Sequence, residues 1–580
     1  MAGGAFVAAR KAQIAFDTVV VGGGSAGCVL ASRLSEDPSR RVLLVEAGCD
    51  LSPGAVPPVI ASPYPGRAYF NKNWTWPELR VAMGADPKRN DGEPSRFYEQ
   101  ARILGGGSSI NGIGANRGAP SDFDEWEAQG ARGWGWKEVL PFFKKLENDL
   151  DYGHSDIHGN SGPIPVKRLA RVNHSQFVRD VEERLHADGF GLFEDQNGAW
   201  RDGLYPIATN LDAANRRAST ATTYLSNAVR ARSNLTVWTD TSADRLLLEG
   251  RKAIGVRILK SGEPVDVRAN RIIVSCGAIH SPVLLLRSGI GPAHELRELG
   301  IETLVARDGV GRNLQEHPSI GVSTFLPRSQ RMPRGEHYHI QSILRWSSGT
   351  KGVPSGDMHL SLNARSGWHK VGYRIGTLFG WVNKSFSKGL VTLRSPDPSV
   401  PPHIDFRLLS DGRDLHRLAS SFRLAATTLQ ALAADGRCSR PFPSTYSDRV
   451  RKWMRPTKLN GLMMAFAGPA IDASSRVRDF VVEIATEGNP PLETLLEDED
   501  QLHRYLIENV GGVWHPCGTC RIGDPSDPFS VCDSSGKVID TAGLYVCDAS
   551  IMPTIPCANL NLPTIMIAEK IAHGIRQEPS

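Results

Sequence analysis

Apolar and polar positions near the N-terminus predict a strand, a helix and a second strand in close succession. Phe16 to Val21 is apolar and β-branched, which is typical of a buried strand. The apolar positions between Ser25 and Leu34 fit a helix, which we expect to end before Pro38. Val42 to Val45 is a second apolar run, and Glu46 follows it directly. This order of elements indicates an α/β fold.

The turn between the first strand and the helix has the glycine spacing of a dinucleotide-binding loop. Such a loop lets a pyrophosphate approach the first helical turn, whose free N–H groups favour anions. Glu46, 22 positions after the second glycine of the motif, could accept hydrogen bonds from ribose hydroxyls. The motif leaves NAD and FAD open. The residues expected to contact the cofactor here are Gly22, Gly24, Ser25, Ala26, Gly27, Glu46 and Ala47.

Three further segments of the chain combine several glycines with apolar residues. Arg102 to Gly112 is a glycine- and serine-rich loop whose small residues would let backbone approach a flat ring or a phosphate. Gly277 to Gly291 follows a predicted strand, Ile272 to Ser275, and predicts a buried helix. Gly309 to His317 comes soon after. The alternative for the glycine loop is a flexible surface turn.

Near the C-terminus a histidine lies between Trp514 and the pair Cys517 and Cys520. Histidine is the usual side chain for removing a proton near neutral pH, so His515 is a candidate base. The cysteine pair could instead bind zinc, but four ligands need a second pair, which the sequence lacks. A redox dithiol is the other alternative. We therefore predict no metal site.

Asn559 lies just before the last predicted helix, Pro563 to Ala572. Ile567 and Ile571 keep helical spacing, and proline suits the first turn of a helix. The positive end of this helix would face whatever lies before it. With a nucleotide loop at one end of the chain and a candidate base at the other, we expect the fold to bring the two together.

Size and composition exclude several classes of function. A chain of 580 residues is expected to form two or more lobes. Its net charge is only 67 − 62 = +5, and no basic run with interleaved aromatics indicates nucleic-acid binding. No apolar stretch is long enough for a membrane span, and Met1 to Gln13 lacks the order of a signal peptide, so we expect a cytoplasmic protein. Nine cysteines do not suggest a disulfide framework.

Taken together, these motifs resemble the glucose–methanol–choline (GMC) oxidoreductases. Both signature loops of that family are nearly complete, as Ala101 to Asp124 and as Gly277 to Gly291. The N-terminal glycine motif and the C-terminal histidine and asparagine also match, so the resemblance covers essentially the whole chain. It implies FAD rather than NAD. Ile110 occupies the position where some relatives attach FAD through a histidine, so we expect non-covalent FAD.

The resemblance also implies a domain division. It predicts a Rossmann-like FAD-binding domain and a discontinuous substrate domain built on an antiparallel sheet. We expect the FAD-binding domain to comprise 14–160, 225–320 and 505–580, and the substrate domain to comprise 161–224 and 321–504.

By the same resemblance, His515 is the base and Asn559 holds the substrate oxygen. We expect the substrate pocket to include Trp381, Val382, Trp514 and Asn561. The further FAD contacts that the resemblance implies are Arg102, Leu104, Gly107, Ser109, Asn111, Gly112, Ala243, Trp514, Asp548, Ala549, Asn559 and Pro563.

The expected activity is FAD-dependent oxidation of a primary alcohol, aromatic or furanic, to the aldehyde and, through its hydrate, to the acid. Dioxygen, giving hydrogen peroxide, or another carrier would reoxidise the flavin. A hydroxynitrile lyase on the same fold, a thiol oxidase using Cys517 and Cys520, and a non-catalytic flavoprotein remain alternatives. Arg451 to Gly468 mixes basic and apolar residues. We expect a partly buried surface loop there, with a lid, an oligomer contact or a membrane-surface contact as alternatives.

Overall fold

The structure, a computed structural model, describes residues 15–84, 96–335, 337–444, 446–486 and 488–578. The segment before residue 14, for which no signal peptide is predicted, lies outside these ranges. Within them, no helix combines the length and the apolar character needed to cross a membrane.

The first sheet has seven strands and a parallel core. Ala15–Val21 pairs in parallel with Val42–Val45 on one side and with Glu263–Val274 on the other. Leu235–Trp238 extends the sheet beyond Val42–Val45, and Leu544–Val546 pairs in parallel with Glu263–Val274. Two strands complete the sheet in antiparallel pairing: Thr241–Glu249 and Lys252–Lys260. The predicted strand–helix–strand unit therefore forms the centre of this sheet.

The second sheet has six strands, and all its pairings are antiparallel. One of its faces packs on the longest helix, Gly412–Ala434, where Leu418 and Phe422 join Leu378 in a buried apolar cluster. A parallel-core sheet beside an antiparallel sheet confirms the predicted fold class. The strands, in spatial order, are Phe442–Pro443, Ser319–Phe325, Ile375–Val382, Met358–Asn363, Ile340–Trp346 and Gly203–Pro206.

Smaller sheets and the helices cover these two. The other strands are Arg80–Gly84, Arg96–Phe97, Leu390–Thr392 and His403–Leu408 in one sheet, Glu147–Asp149, Ile164–Arg168 and Ala208–Thr209 in another, and Ile290–Gly291 with Val305–Ala306. The remaining α-helices of the described ranges are Ser25–Leu34, Pro58–Ala61, Gly66–Tyr69, Gly107–Ile110, Pro120–Ala128, Trp136–Leu146, Gln176–Ala187, Thr220–Thr223, Asn227–Arg230, Gly277–Arg287, Ala293–Glu298, Asp448–Met454, Lys458–Ala473, Ser475–Thr486, Leu492–Glu497, Glu499–Asn509 and Asn561–Gln577.

The segment expected as a surface loop, Arg451 to Gly468, is helical instead. It belongs to Asp448–Met454 and Lys458–Ala473, and the Thr457 side chain accepts a hydrogen bond from Asn460 N at the start of the second helix. Leucine, methionine and alanine are strong helix formers, which explains the difference. One side of the second helix borders the cavity described below, and the other exposes an apolar stripe: Leu459, Leu462 and Phe466.

Candidate active site

A cavity of about 1270 Å³ lies where the two sheets meet. Val21 and Val45, at the carboxyl ends of two parallel strands, form part of its wall, and Ser319, Phe379 and Trp381 of the second sheet form another part. Ligands of parallel α/β sheets bind at the carboxyl ends of the strands. Because pockets for drug-sized ligands measure roughly 300–1,000 Å³, this volume has room for a large cofactor and a substrate together.

The N-terminal glycine loop has the geometry of an anion cradle. Gly22 has φ +101°, and a Cβ added there would come within 2.4 Å of Ser275 O. A Cβ at Gly27 would come within 1.9 Å of Gly22 O, so both positions require glycine. The helix Ser25–Leu34 has no side-chain cap at Gly24, which leaves N–H groups of its first turn free for an anion.

Glu46 is positioned beside this loop by two backbone N–H groups. Its Oε2 accepts a hydrogen bond from Gly23 N at 2.8 Å, and its Oε1 accepts one from Gly48 N at 2.7 Å. Burial raises the pKa of Glu46 to about 7, although both hydrogen bonds lower it. Each oxygen keeps a further lone pair at the cavity wall, where a ribose hydroxyl could donate.

The second glycine loop and the C-terminal helix border the same cavity. A Cβ added at Gly107 or at Gly112 would meet no atom within 4 Å, so the backbone is open there. The helix Asn561–Gln577 begins after Leu560 without a side-chain cap. Open backbone, uncapped helix starts and an acid at the end of a strand together fit FAD. These residues could hold its diphosphate, ribose and ring.

Gly107→Ala tests this cradle. We expect the purified variant to bind FAD about tenfold more weakly, because the added methyl would occupy space next to the cofactor. The stability of the apoprotein should be unchanged or slightly higher, since alanine suits the first helical turn better than glycine. FAD titration and thermal unfolding of the apoprotein measure the two effects. Gly54→Ala, also at a glycine with open space, is the matched control. Equal FAD affinity in both variants would contradict this assignment.

Most of the predicted site residues line the cavity. They are Gly22, Gly24, Ser25, Ala26, Glu46, Ala47, Arg102, Gly107, Asn111, Gly112, Ala243, Trp381, Trp514, His515, Asp548, Ala549, Asn559 and Asn561.

Other predicted site residues do not line the cavity. Ser109 lies behind the wall, where its Oγ donates to Leu104 O at 2.7 Å and braces the loop. Val382 points to the opposite face of the second sheet from Trp381, because neighbouring side chains alternate, and it packs in the core. Gly27, Leu104 and Pro563 are not among the lining residues.

A chain of hydrogen bonds fixes which nitrogen of His515 carries its proton. His317 Nε2 lies 3.1 Å from Pro556 O, and since a carbonyl only accepts, this nitrogen is the donor. The Nδ1 of a neutral His317 is then an acceptor. It lies 3.0 Å from His515 Nδ1, which must donate to it. His515 Nε2 therefore carries a lone pair and no proton. Burial lowers the pKa of His515 to about 3, which keeps the ring neutral.

A second chain of hydrogen bonds orients Asn559 from the other side. Ala208 N donates to Gln196 Oε1, and Gln196 Nε2 donates to Asn116 Oδ1. Asn116 Nδ2 donates in turn to Asn559 Oδ1 at 3.2 Å, so the amide nitrogen of Asn559 faces His515 Nε2, also at 3.2 Å. A base nitrogen and an amide donor therefore lie side by side at the cavity wall.

Glu316 holds the backbone around His515. Its two oxygens accept hydrogen bonds from the backbone N–H groups of Val513, His515 and His317 and from Tyr98 Oη. The bonds to Val513 and His515 flank Trp514, whose φ of +60° is unfavourable for a bulky residue. Ligand atoms of Glu316, His317 and His515 are close enough to hold a metal ion. However, the oxygens of Glu316 are already engaged by four donors.

The cysteine pair lies away from this chemistry. Cys517 and Cys520 are free thiols, fully buried, and neither lines the cavity. Burial raises the pKa of both thiols well above the usual value, which disfavours the reactive thiolate.

The sequence alone did not indicate roles for Glu316, His317 and Asn116, because these roles depend on contacts between distant segments. The one sequence feature that pointed towards them is the glycine-containing segment Gly309–His317, which ends with Glu316 and His317.

Comparisons with known proteins find relatives that match nearly the whole chain. Family profiles described as GMC oxidoreductase match residues 16–319 and 385–568. The chain is 42% identical over 571 residues to 5-(hydroxymethyl)furfural oxidase of Methylovorus sp. (strain MP688), covering 97% of this chain and 98% of that protein. It is 31% identical to an oxygen-dependent choline dehydrogenase of Rhizobium etli, covering 97% and 96%. The crystal structure of pyridoxine 4-oxidase from Mesorbium loti matches with a TM-score of 0.77 at 28% identity, covering 97% and 100%.

Proposed function

Because the chain belongs to the GMC oxidoreductase family and is an FAD-dependent alcohol oxidoreductase, we propose that it oxidises primary aromatic or furanic alcohols to aldehydes, with His515 as the base. The observation that carries this proposal is the position of His515 Nε2 at the cavity wall, 3.2 Å from the side-chain amide nitrogen of Asn559. The aldehyde, as its hydrate, presents the same hydroxyl and could go on to the acid.

His515 and Asn559 act together on the substrate hydroxyl. The hydroxyl donates its proton to His515 Nε2, while its oxygen accepts a hydrogen bond from Asn559 Nδ2. His515 Nδ1–H remains bonded to His317, which stabilises the imidazolium that forms. Bound FAD would supply the acceptor for the hydride of the carbinol carbon. The two residues therefore hold the substrate oxygen next to Asn559 Nδ2 and direct its proton to His515 Nε2.

Aromatic side chains around the base support aromatic or furanic substrates. The Trp381 ring stacks on His359 with centroids 3.9 Å apart, and Phe379 lies beside it in the wall. The Trp514 ring packs near Tyr98 and Tyr446. Flat rings bind well between such surfaces. The names of the furfural oxidase and the pyridoxine oxidase relatives indicate ring-bearing substrates for those proteins.

Non-covalent FAD and the domain division belong to the same proposal. Ile110 is buried and offers no atom that could attach to a flavin. All strands of the first sheet fall within 14–160, 225–320 and 505–580. The strands of the second sheet fall within 161–224 and 321–504, apart from the start of Ser319–Phe325. These facts support the two-domain division.

Flavin reduction without air tests the proposed activity. Benzyl alcohol and 5-(hydroxymethyl)furfural should bleach the yellow flavin of the holoprotein, and a thiol panel should not. Air is then admitted: rapid recovery of colour with hydrogen peroxide indicates dioxygen as acceptor, and slow recovery indicates another carrier. Cleavage of a cyanohydrin without bleaching would instead indicate a lyase. If no primary alcohol reduces the flavin, the proposal is wrong.

A further inference from the structure

The cavity has a second polar end, formed around Arg365. This side chain is fully buried and lines the cavity. Its guanidinium carbon lies 3.4 Å from the ring centre of Tyr64 and 4.3 Å from that of Tyr373. Nη1 donates to Gly335 O at 3.3 Å, whereas Nε and Nη2 have no hydrogen-bond partner among the described residues. Within the described ranges, no carboxylate forms an ion pair with it.

A buried cation that has no carboxylate partner in the described part of the chain is costly, so its presence calls for an explanation. The two tyrosine rings offset part of the cost through cation–π contacts. Nε and Nη2 form one edge of the guanidinium, and two parallel N–H groups at that edge match the two oxygens of a carboxylate. The unsatisfied edge of Arg365 therefore has the geometry and the charge for a carboxylate ligand.

The groups around Arg365 favour an anion and do not compete with it. Burial lowers the pKa of His339 to about 3 and that of His369 to about 4, so both rings are neutral near pH 7. Asn363 also lines this end, and its Oδ1 has no partner among the described residues, so its amide can turn towards an anion. Glu99, a carboxylate of the cavity wall, is already paired with Arg451 at 2.7 Å.

The strand Met358–Asn363 runs along the cavity and gives the distance between its Arg365 end and its His515 end. His359, Ser361 and Asn363 alternate along the strand, face the same side and all line the cavity. His359 lies at the end near the base, where His515 contributes to the lowering of its pKa. The four residue steps of strand from His359 to Asn363 span about 13 Å. A ligand that touches both ends is therefore on the order of 10 Å long.

We propose that Arg365 binds a carboxylate of the substrate, so that the alcohol oxidised at His515 belongs to an elongated hydroxy acid. The part of this proposal that concerns oxidation at His515 rests on the proposed function. The part that concerns carboxylate binding at Arg365 does not. A compound whose carbinol and carboxylate are separated by two para-linked rings has the required length.

Binding is measured first, with compounds that cannot react. Biphenyl-4-carboxylate should raise the thermal unfolding temperature of the wild-type holoprotein more than biphenyl-4-carboxamide does. Arg365→Met should lose this preference for the acid. Arg374→Met is the matched control, because Arg374 pairs with Asp472 nearby and does not line the cavity, so this variant should keep the preference. Equal effects of acid and amide on the wild type, or an undiminished preference in Arg365→Met, would overturn the proposal.

Turnover is measured second, with 4′-(hydroxymethyl)biphenyl-4-carboxylate and its carboxamide. Arg365→Met should lower the acid-to-amide ratio of kcat/KM by at least about 30-fold, through KM rather than kcat. Arg365→Lys should lie between, because lysine keeps the charge and loses the two-point contact. If alcohols reduce the flavin but this ratio does not change, the Arg365 proposal alone fails. If no alcohol reduces the flavin, the proposed function fails, and the binding experiment still decides the role of Arg365.

Discussion

His515→Ala should lower the rate of flavin reduction by alcohols by about 10²–10⁴-fold, the usual contribution of a positioned general base. The loss should appear mainly in kcat, because Asn559 and the aromatic walls would still hold the substrate. FAD should stay bound, since this substitution leaves the glycine loops and Glu46 unchanged. Anaerobic stopped-flow mixing with benzyl alcohol measures the rate, and the flavin-to-protein absorbance ratio measures cofactor content.

The pH dependence distinguishes loss of a base from loss of packing. Burial lowers the pKa of His515 to about 3, so the ring is neutral, and competent as a base, above that value. Wild-type kcat/KM should therefore hold down to about pH 5, and fall only as the pH approaches the lowered pKa. An ordinary histidine would already lose activity below its reference pKa of about 6.5. Cys517→Ala, two residues away, should keep the wild-type rate and profile. Near-wild-type bleaching by His515→Ala would remove the assigned base.

The sequence predicted the elements whose signals are local. The helix Ser25–Leu34 and the strand Val42–Val45 occur as expected, because apolar period and glycine spacing act over a few residues. The helix predicted from Gly277 ends at Arg287, earlier than expected, since Gly289 has φ +80°. The strand order of the second sheet could not be predicted, because it joins residues that lie far apart in the chain.

The candidate site shows the same limit. His515 and Asn559 could be predicted because their local motifs resemble those of a family. His317 lies 198 residues before His515, and Asn116 lies 443 residues before Asn559, so no spacing rule connects them. Arg365 is also invisible in the sequence, because a single arginine signals nothing until its burial and its unpaired edge are known. The contacts that set protonation and charge depend on the folded chain.

His317→Phe should reduce alcohol oxidation by about 10- to 100-fold while leaving every group that would touch the substrate in place. In the wild type, His317 Nδ1 accepts the proton of His515 Nδ1. Phenylalanine removes this acceptor and leaves a buried N–H without a partner, which costs about 1–3 kcal/mol. His515 would then shift towards the tautomer with its proton on Nε2. In that tautomer Nε2 cannot accept the substrate proton, and it opposes the N–H of Asn559.

His317→Asn is the conservative test of this mechanism. The Oδ1 of asparagine branches from Cγ, as Nδ1 of histidine does, so it can accept the same proton from His515. We therefore expect His317→Asn to recover most of the rate that His317→Phe loses. His174→Phe removes a buried histidine that contacts Leu169 O elsewhere in the fold, and it shows how much of any loss reflects stability alone. If the asparagine and phenylalanine variants are equally slow and equally destabilised, His317 supports packing only, and the tautomer of His515 must be set in another way.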